Sequence, residues 1–439
     1  MPSRCRDNMT ALRQWKVNKL AIAYDKLFHL IASQNMTSKA LMQQANISAN
    51  IISRLRHNEY VSLETIENIC RVFQCRADDV LDFKFPSETI VTPSPESLPQ
   101  TADIRNRRYL GNKFKLLKFL RNVVDENCFA IETVADIFSG TGAVASAFTD
   151  KTIITNDLLY SNYLCNLAWF GSRKVRLPLL QNLIAEYNRA EDLPTNYMTE
   201  NFADTYFSKT DCTKIGFVRE DVEEKYQLGI INDRERAILV ASLIYAMDRI
   251  ANTCGHYDAW RHGATFERRI VLPVLNVPTE NNKQNHCFNE DANELVKHIR
   301  ADLIYIDPPY NSRQYSDTYH LLENVARWQK PPVHGVARKM NRNELKSNYC
   351  TSKATAAFED LIQHCDAKYI LFSYNNMANK GDARSNARIS DEDIFRILND
   401  KGDVKVFAKE YKPFTTGRSD IRGNEERLFL CKVHRRNRL

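Results

Sequence analysis

The stretch Asp302-Leu303-Ile304-Tyr305-Ile306-Asp307-Pro308-Pro309-Tyr310 decides how the rest of the chain is read. An apolar, β-prone run stops abruptly at an acid, two prolines and an aromatic ring. Pro308 has no N–H to give to a sheet ladder, and a following proline biases the residue before it toward extended backbone, so the strand ends where the Asp307 carboxylate emerges. In an open α/β sheet, the carboxyl ends of strands are where ligands bind.

Upstream, Val134-Ala135-Asp136-Ile137-Phe138 reads as a second buried strand. It breaks at Ser139-Gly140-Thr141-Gly142 before a small-residue helix over Ala143 to Phe148. Strand, glycine loop and helix together present backbone amides to a ligand and let a nucleoside lie close. The loop lacks the full GxGxxG pattern and the Walker lysine, which argues against NAD and ATP. The next strand, Thr152 to Thr155, ends in Asn156-Asp157, where an acid can accept hydrogen bonds from ribose hydroxyls. Lys368 to Tyr374 reads as another buried strand, and Lys405 to Tyr411 with Arg427 to Val433 as a closing antiparallel pair. Alternating strands and helices imply a mostly parallel sheet. Between Leu158 and His286 the pattern is helical and longer than such a sheet needs, so residues 158–286 are read as an insertion suited to target recognition. A basic stretch, Arg105 to Lys115 with Gly111 at its centre, precedes the glycine loop. Its charges fit a solvated face nearly as well as a ligand contact.

With 439 residues and 43% hydrophobic content, the chain is long enough for two or three ordinary cores. There is no apolar run of membrane-spanning length and no secretory signal at Met1 to Thr10, so an intracellular, cytoplasmic protein is expected. The 11 cysteines contain no Cys-x-x-Cys, which suggests reduced thiols and no structural zinc, and His256, His262 and His286 lack metal-ligand pairing. A net charge of +7 is compatible with a polyanionic partner without demanding one. Apolar spacing predicts a helix over Asn18 to Ile31, a second capped at Thr37-Ser38, a third over Ala49 to Arg56, a fourth opened by Ser62 and a fifth piece from Ala77 to Phe83. Pro86, Pro93, Pro95 and Pro99 then mark an extended linker. The expected organisation is residues 1–85, a linker over 86–103, and a larger domain over 104–439.

The helices of residues 18–84, with the Ala45-Asn46-Ile47-Ser48 turn, resemble the helix-turn-helix domain of the Cro and phage-repressor family. That resemblance implies that Ser48, Asn50, Ser53 and Arg54, on the third helix, face a DNA major groove. A plain helical interaction bundle is the competing reading.

The order of Tyr109-Leu-Gly-Asn-Lys113, Asp136-Ile-Phe138-Ser-Gly140-Thr-Gly142, Asp157, Asp291 and Asp307-Pro-Pro-Tyr310 resembles the Dam-like S-adenosylmethionine-dependent methyltransferases that act on the N6 amine of adenine in DNA. Asn252 to Ala259, Gln314-Tyr315, Tyr319-His320 and Phe372 to Asn375 extend the likeness over residues 104–433. It implies an α/β fold, a Rossmann-like, mostly parallel methyltransferase sheet with a helical insertion, preceded by a small all-α helix-turn-helix domain. It also implies S-adenosyl-L-methionine as cofactor, double-stranded DNA as partner, and a restriction-modification setting with a cognate endonuclease.

The roles implied for the cofactor are Phe138 and the amides near Gly140 and Gly142 against adenosine and methionine, and Asp157 on the ribose. Asp291, or Glu290 beside it, takes the cofactor's adenine amine; Asp136 takes the methionine amine; Tyr109 and Lys113 lie on the cofactor side. At the target, adenine's exocyclic nitrogen is a poor nucleophile because its lone pair is delocalised into the ring. Asp307 and the Pro308 carbonyl would accept its two N–H bonds, and Tyr310 would stack on the extruded base, with Pro309 completing the catalytic tetrad. A helix-turn-helix regulator with a cofactor-sensing domain, and a cytosine-N4 or RNA amino-methyltransferase, are the alternatives.

Overall fold

The computed structural model describes residues 21–34, 36–84, 100–253, 255–280, 284–309, 312–375, 388–410 and 425–434. Tyr310, most of the proline-marked linker, and residues 18–20, 376 and 411 of the expected elements lie outside the described residues. The chain divides into two compact units, Met1–Leu98 and Pro99–Leu439.

In the first unit the elements are β1 (Ala21–Ala23), α1 (Asp25–Ser33), α2 (Ser38–Gln44), α3 (Ala49–Arg56), α4 (Leu63–Phe73), a single 3-10 turn over Ala77–Asp79, and β2 (Asp82–Lys84). Thr37, Ser48 and Ser62 cap α2, α3 and α4 by accepting from the amides of Ala40, Ile51 and Thr65. Leu27, Leu41, Leu55, Ile69 and Val80 close the core. The all-α expectation is corrected here. Ala21–Ala23 is a strand rather than the start of a helix, and it pairs antiparallel with β2, which occupies the end of the expected fifth helix. This pairing joins positions about sixty residues apart, so local apolar spacing cannot signal it.

The second unit is built on a seven-stranded sheet. Its strands are β4 (Thr133–Asp136), β5 (Thr152–Asn156), β7 (His286–Phe288), β8 (Ala301–Ile306), β9 (Ala367–Asn375), β10 (Gly402–Glu410) and β11 (Glu425–Val433). They lie in the order β10-β11-β9-β8-β4-β5-β7. From β9 to β7 every pairing is parallel, and β11 and β10 close the edge antiparallel. Two short strands, β3 (Thr101–Ala102) and β6 (Val274–Leu275), pair apart from this sheet.

Strand β8 is central, with neighbours on both sides, which is why it reads as a continuous apolar run rather than an alternating one. Its alternation shows in what it packs against. Leu303 and Tyr305 join Leu120, Val123 and Val124 of α5 (Leu117–Asn127) on one face, and Ile304 and Ile306 join Phe358 and Leu361 of α14 (Ala354–His364) on the other. Asp302 fastens the strand's start, accepting from the amides of Glu132 and Thr133 and pairing with Lys368. α15 (Asp391–Lys401) completes the α14 side.

Between β5 and β7 run α6 (Tyr160–Phe170), α7 (Leu177–Arg189), α8 (Tyr197–Phe202), α9 (Lys209–Gln227) and α10 (Asp233–Ile250). Residues Arg234 to Asp248 of α10 are all buried, so this helix is the spine of the insertion. α11 (Ala292–Leu295) is shorter than the helix expected to run toward Ile299, and the expected helix over 143–148 is turns ending in a 3-10 segment, Ala145–Phe148. After β8 come α12 (Tyr315–Thr318) and α13 (His320–Arg327), and Glu323 of α13 accepts from the first amides of α6. Among the described residues no helix is long and apolar enough to cross a membrane.

Candidate active site

The chain leaves β4 toward β5 on one side of the sheet and leaves β8 toward β9 on the other, so a crevice opens at the carboxyl ends of β4 and β8. A cleft of about 940 Å³, counted out to its solvent mouth, occupies it. Tyr109, Lys113, Asp136, Phe138, Gly140, Asp157, Asp291, Asp307 and Pro309 all line it, together with Glu290, Tyr305 and Tyr349. Sequence positions spread over two hundred residues thus converge on one cleft.

The glycine loop is held from below. Its Gly140 amide donates to Asp157 Oδ2 at 2.8 Å, and Ser139 Oγ donates to the Asn156 carbonyl at 2.9 Å. Asn166 of α6 donates to Ser139 Oγ and to the Gly140 carbonyl. Gly140 and Gly142 both have positive φ, 51° and 78°. At Gly142 a Cβ would lie 2.4 Å from Asn166 Oδ1 and 2.8 Å from the Phe170 ring, so both the backbone conformation and the space demand glycine.

Asp157 therefore has a structural role beyond the expected ribose contact, since its other oxygen accepts from the Leu159 amide. Burial pushes its carboxyl up to about 6 against the pull of these donors. Asp136, at the end of β4, is 1% exposed, and neither carboxylate oxygen makes a full hydrogen bond among the described residues. Burial, and the nearby Asp307 charge, hold its carboxyl well above the usual range. A buried carboxylate on the cleft wall, steadied only by the nearby backbone of Phe138 and Ala145, fits a cationic amine, as the α-ammonium of S-adenosylmethionine would supply. Phe138 is half-buried and meets Tyr349 edge-on at 5.2 Å. Asp291 is exposed and caps α11 through the Asn293 amide, while Glu290 reaches His298 at 3.3 Å; both border the cleft.

The basic stretch departs from a solvated face. Arg107 and Lys113 are both buried, Lys113 at 7% exposure. Lys113 sits beside Asp307, its Nζ 3.1 Å from Asp307 Oδ1 and 3.1 Å from Glu426 Oε1. Tyr109, Tyr315 and Tyr319 form a triad of near-parallel rings, with centroids 4.5 Å (Tyr109–Tyr319), 5.3 Å (Tyr109–Tyr315) and 6.1 Å (Tyr315–Tyr319) apart. The Arg107 guanidinium lies 5.3 Å from the Tyr109 ring, and the Asn162 side chain donates to the Tyr109 hydroxyl. The Leu110 amide donates to the Tyr319 hydroxyl at 2.7 Å. His320, buried so that its ring is held down to about 4, shares a 2.8 Å hydrogen bond with the Tyr257 carbonyl. The segments around Tyr109, Tyr257 and Tyr319-His320 thus pack together.

Asp307 has its side chain 17% exposed. Burial raises its carboxyl, Lys113 pulls it back down, and Glu426 pushes it up again. Sequence reasoning missed Arg107, Glu426, Tyr315 as a stacking partner, and Ser373, whose hydroxyl donates to Glu426 Oε1 at 2.7 Å. Ser373 and Tyr315 carried a signal as parts of Phe372 to Asn375 and Gln314-Tyr315, Arg107 only as a member of the basic stretch, and Glu426 none. No cluster able to hold a metal occurs among the described residues.

In the first unit, Asn50 and Ser53 are exposed on α3. Ser48 spends its hydroxyl on the cap. Arg54 is exposed but tied back to the Tyr60 carbonyl and to Glu59 at 3.5 Å.

Residues 109–379 match the family model of the D12 class N6 adenine-specific DNA methyltransferases, and residues 26–86 match that of the Cro/C1-type HTH DNA-binding domains. The chain is 31% identical over 343 residues to the modification methylase LlaI of Lactococcus lactis subsp. lactis, covering 73% of this chain and 53% of that protein. It is 35% identical over 312 residues to the modification methylase StsI of Streptococcus sanguinis, covering 67% and 46%. To the type II methyltransferase M.NlaIII of Neisseria lactamica it is 29% identical over 339 residues, covering 74% and 98%. The chain spans about half the length of the first two relatives. With a Cro/C1-type helix-turn-helix domain ahead of it, the cleft-bearing unit makes this chain a member of the D12 class of N6 adenine-specific DNA methyltransferases.

Proposed function

We propose that this chain transfers a methyl group from S-adenosyl-L-methionine to the N6 amine of adenine in double-stranded DNA, at a specific site, as the modification half of a cytoplasmic restriction-modification system with a cognate endonuclease. One observation carries the reading: Asp307 stands at the end of β8, across the crevice from the glycine loop that follows β4. Its sheet is read as a Rossmann-like methyltransferase sheet, and the domain limits as 1–85, 86–103 and 104–439.

The cofactor would supply a methyl group on a sulfonium centre. Asp136 would hold its amine, Phe138 and Tyr349 its adenine, Asp157 its ribose, and Asp291 or Glu290 its adenine N–H. Lys113 keeps Asp307 ionised and occupies Oδ1, leaving Oδ2 to take one N–H of the target amine while the Pro308 carbonyl takes the other. Both hydrogen bonds push the amine's lone pair out of conjugation and aim it across the cleft. The backbone of Pro308 has no donor of its own to compete. Tyr310 would stack on the extruded base.

Because α10 is buried along its length, target reading within residues 158–286 would fall to exposed segments such as Arg261 to Arg269 rather than to that helix. On α3, Asn50 and Ser53 would read DNA, Arg54 joining only if it leaves Glu59. The test is incubation with labelled cofactor and duplex DNA followed by mapping of the modified base. Label on one adenine within a fixed sequence is the expected result; label on cytosine, or none on DNA, would sink the proposal.

A further inference from the structure

Lys113 has a second anionic partner that the transfer itself does not require. Glu426 belongs to β11, which is separated from β8 by β9, and it reaches the site over β9. It is buried, its Oε1 is 3.1 Å from Lys113 Nζ, and the same oxygen accepts from Ser373 Oγ of β9. One ammonium thus lies midway between two carboxylates, away from bulk water, where its distance to each decides how strongly it acts. A lysine resting on Asp307 alone would keep that carboxylate ionised, but it would also draw off the electron density the target amine needs.

We propose that Glu426 is a positioning residue for the methyl transfer. It holds the Lys113 ammonium between itself and Asp307, so that Asp307 meets an incoming exocyclic amine as an ionised acceptor that is only partly neutralised. Ser373 fixes the Glu426 carboxylate in that position. The inference rests on the methyltransferase reading above.

The charged and titratable groups that face Asp307 are Lys113 from the turn before α5, Glu426 from β11, Asp136 from the end of β4 and Tyr305 from β8. Lys113 favours the ionised form of Asp307, and Glu426 opposes it. Removing the Glu426 charge therefore moves the acidic limb of the transfer rate to lower pH, and removing the Lys113 charge moves it to higher pH. A merely structural role for Glu426 would leave the acidic limb of Glu426→Gln where it is in wild type.

The experiment compares wild type, Glu426→Gln, Lys113→Met and Ser373→Ala in single-turnover methylation of duplex DNA from acidic to neutral pH, with S-adenosylmethionine affinity measured by calorimetry. Glu426→Gln is expected to slow transfer roughly 10- to 100-fold, by analogy with the removal of an outer hydrogen-bond partner at metal ligands. Cofactor affinity should stay unchanged and the acidic limb should shift downward, opposite to Lys113→Met. Ser373→Ala should slow transfer several-fold with cofactor affinity intact, and it decides the matter if Glu426→Gln does not fold. Wild-type rates in both variants, or a Glu426→Gln limb that coincides with wild type, overturn the inference alone. A wild type that methylates no DNA overturns the methyltransferase reading and this inference with it.

Discussion

Replacing Gly142 with alanine tests how the glycine loop proposed to hold the cofactor is built. At φ 78° an alanine takes on left-handed strain of about 1–2 kcal/mol. Its Cβ would also lie 2.4 Å from Asn166 Oδ1 and 2.8 Å from Phe170 Cε2, both in a buried helix. Asn166 cannot simply retreat, because its side-chain amide holds Ser139, Gly140 and Asn162. Overpacking of this kind costs about 1–3 kcal/mol, so the whole penalty is about 2–5 kcal/mol. The loop is the softer side of the contact and should take most of it. Even 2 kcal/mol charged against the cofactor-competent loop weakens binding roughly 30-fold.

Gly229→Ala is the control: its φ is 69°, but nothing lies within 4 Å of the new Cβ, so it should lower thermal stability slightly and leave binding intact. Gly140→Ala, whose Cβ meets only the Tyr109 ring edge at 3.3 Å, should fall between them. Calorimetric titration with S-adenosylmethionine ranks the three. Gly142→Ala binding like wild type would refute the claim that Asn166 and Phe170 shape this loop.

Asp307→Ala should abolish methyl transfer while leaving S-adenosylmethionine binding within a few-fold, whereas Asp307→Asn, which retains one acceptor oxygen, should keep a trace of activity; radiolabel transfer read beside calorimetry separates the two. Asp248 lies buried beneath the Tyr257 hydroxyl, and its carboxyl is raised to about 6, so between its ordinary value and 6 the folded state holds a proton the unfolded state has lost. Stability therefore falls as pH rises through that window, and Asp248→Asn should gain up to about 3 kcal/mol near pH 7 and almost nothing near pH 4; urea melts at both pH values check the sign. In the first unit, Asn50→Ala should weaken binding to a cognate duplex by about 1–3 kcal/mol, and Ser48→Ala should instead lower thermal stability by about 1 kcal/mol through loss of its cap; fluorescence anisotropy and thermal melts distinguish the two.

What could be read along the chain was whatever the chain keeps contiguous. Strand β8 announced itself because a central parallel strand must be apolar on both faces, and its end because two prolines follow Asp307. The glycine loop and Asp157 lay one strand-turn-strand unit apart, close enough for spacing to relate them. What stayed hidden depended on distant pairing. Lys113 meets Asp307 and Glu426 from nearly two hundred and more than three hundred residues away, so nothing near Arg105 to Lys115 distinguished a buried ammonium from a solvated one. The same holds for Arg107 under Tyr109, for the stack that Tyr109 makes with Tyr315 and Tyr319, and for β1, whose partner β2 lies at the far end of its unit. Arg54 stands in the sequence as a candidate DNA contact, and its tie to Tyr60 is hidden there because it depends on how the chain turns after α3.

The central claim is that the cleft at the ends of β4 and β8 methylates the exocyclic amine of adenine. The most direct measurement is nucleoside mass spectrometry of duplex DNA digested after incubation with S-adenosylmethionine and either wild-type protein or Asp307→Ala. The account predicts N6-methyldeoxyadenosine with wild type and none with Asp307→Ala. Unmodified deoxyadenosine with wild type, or equal product from both proteins, would contradict it.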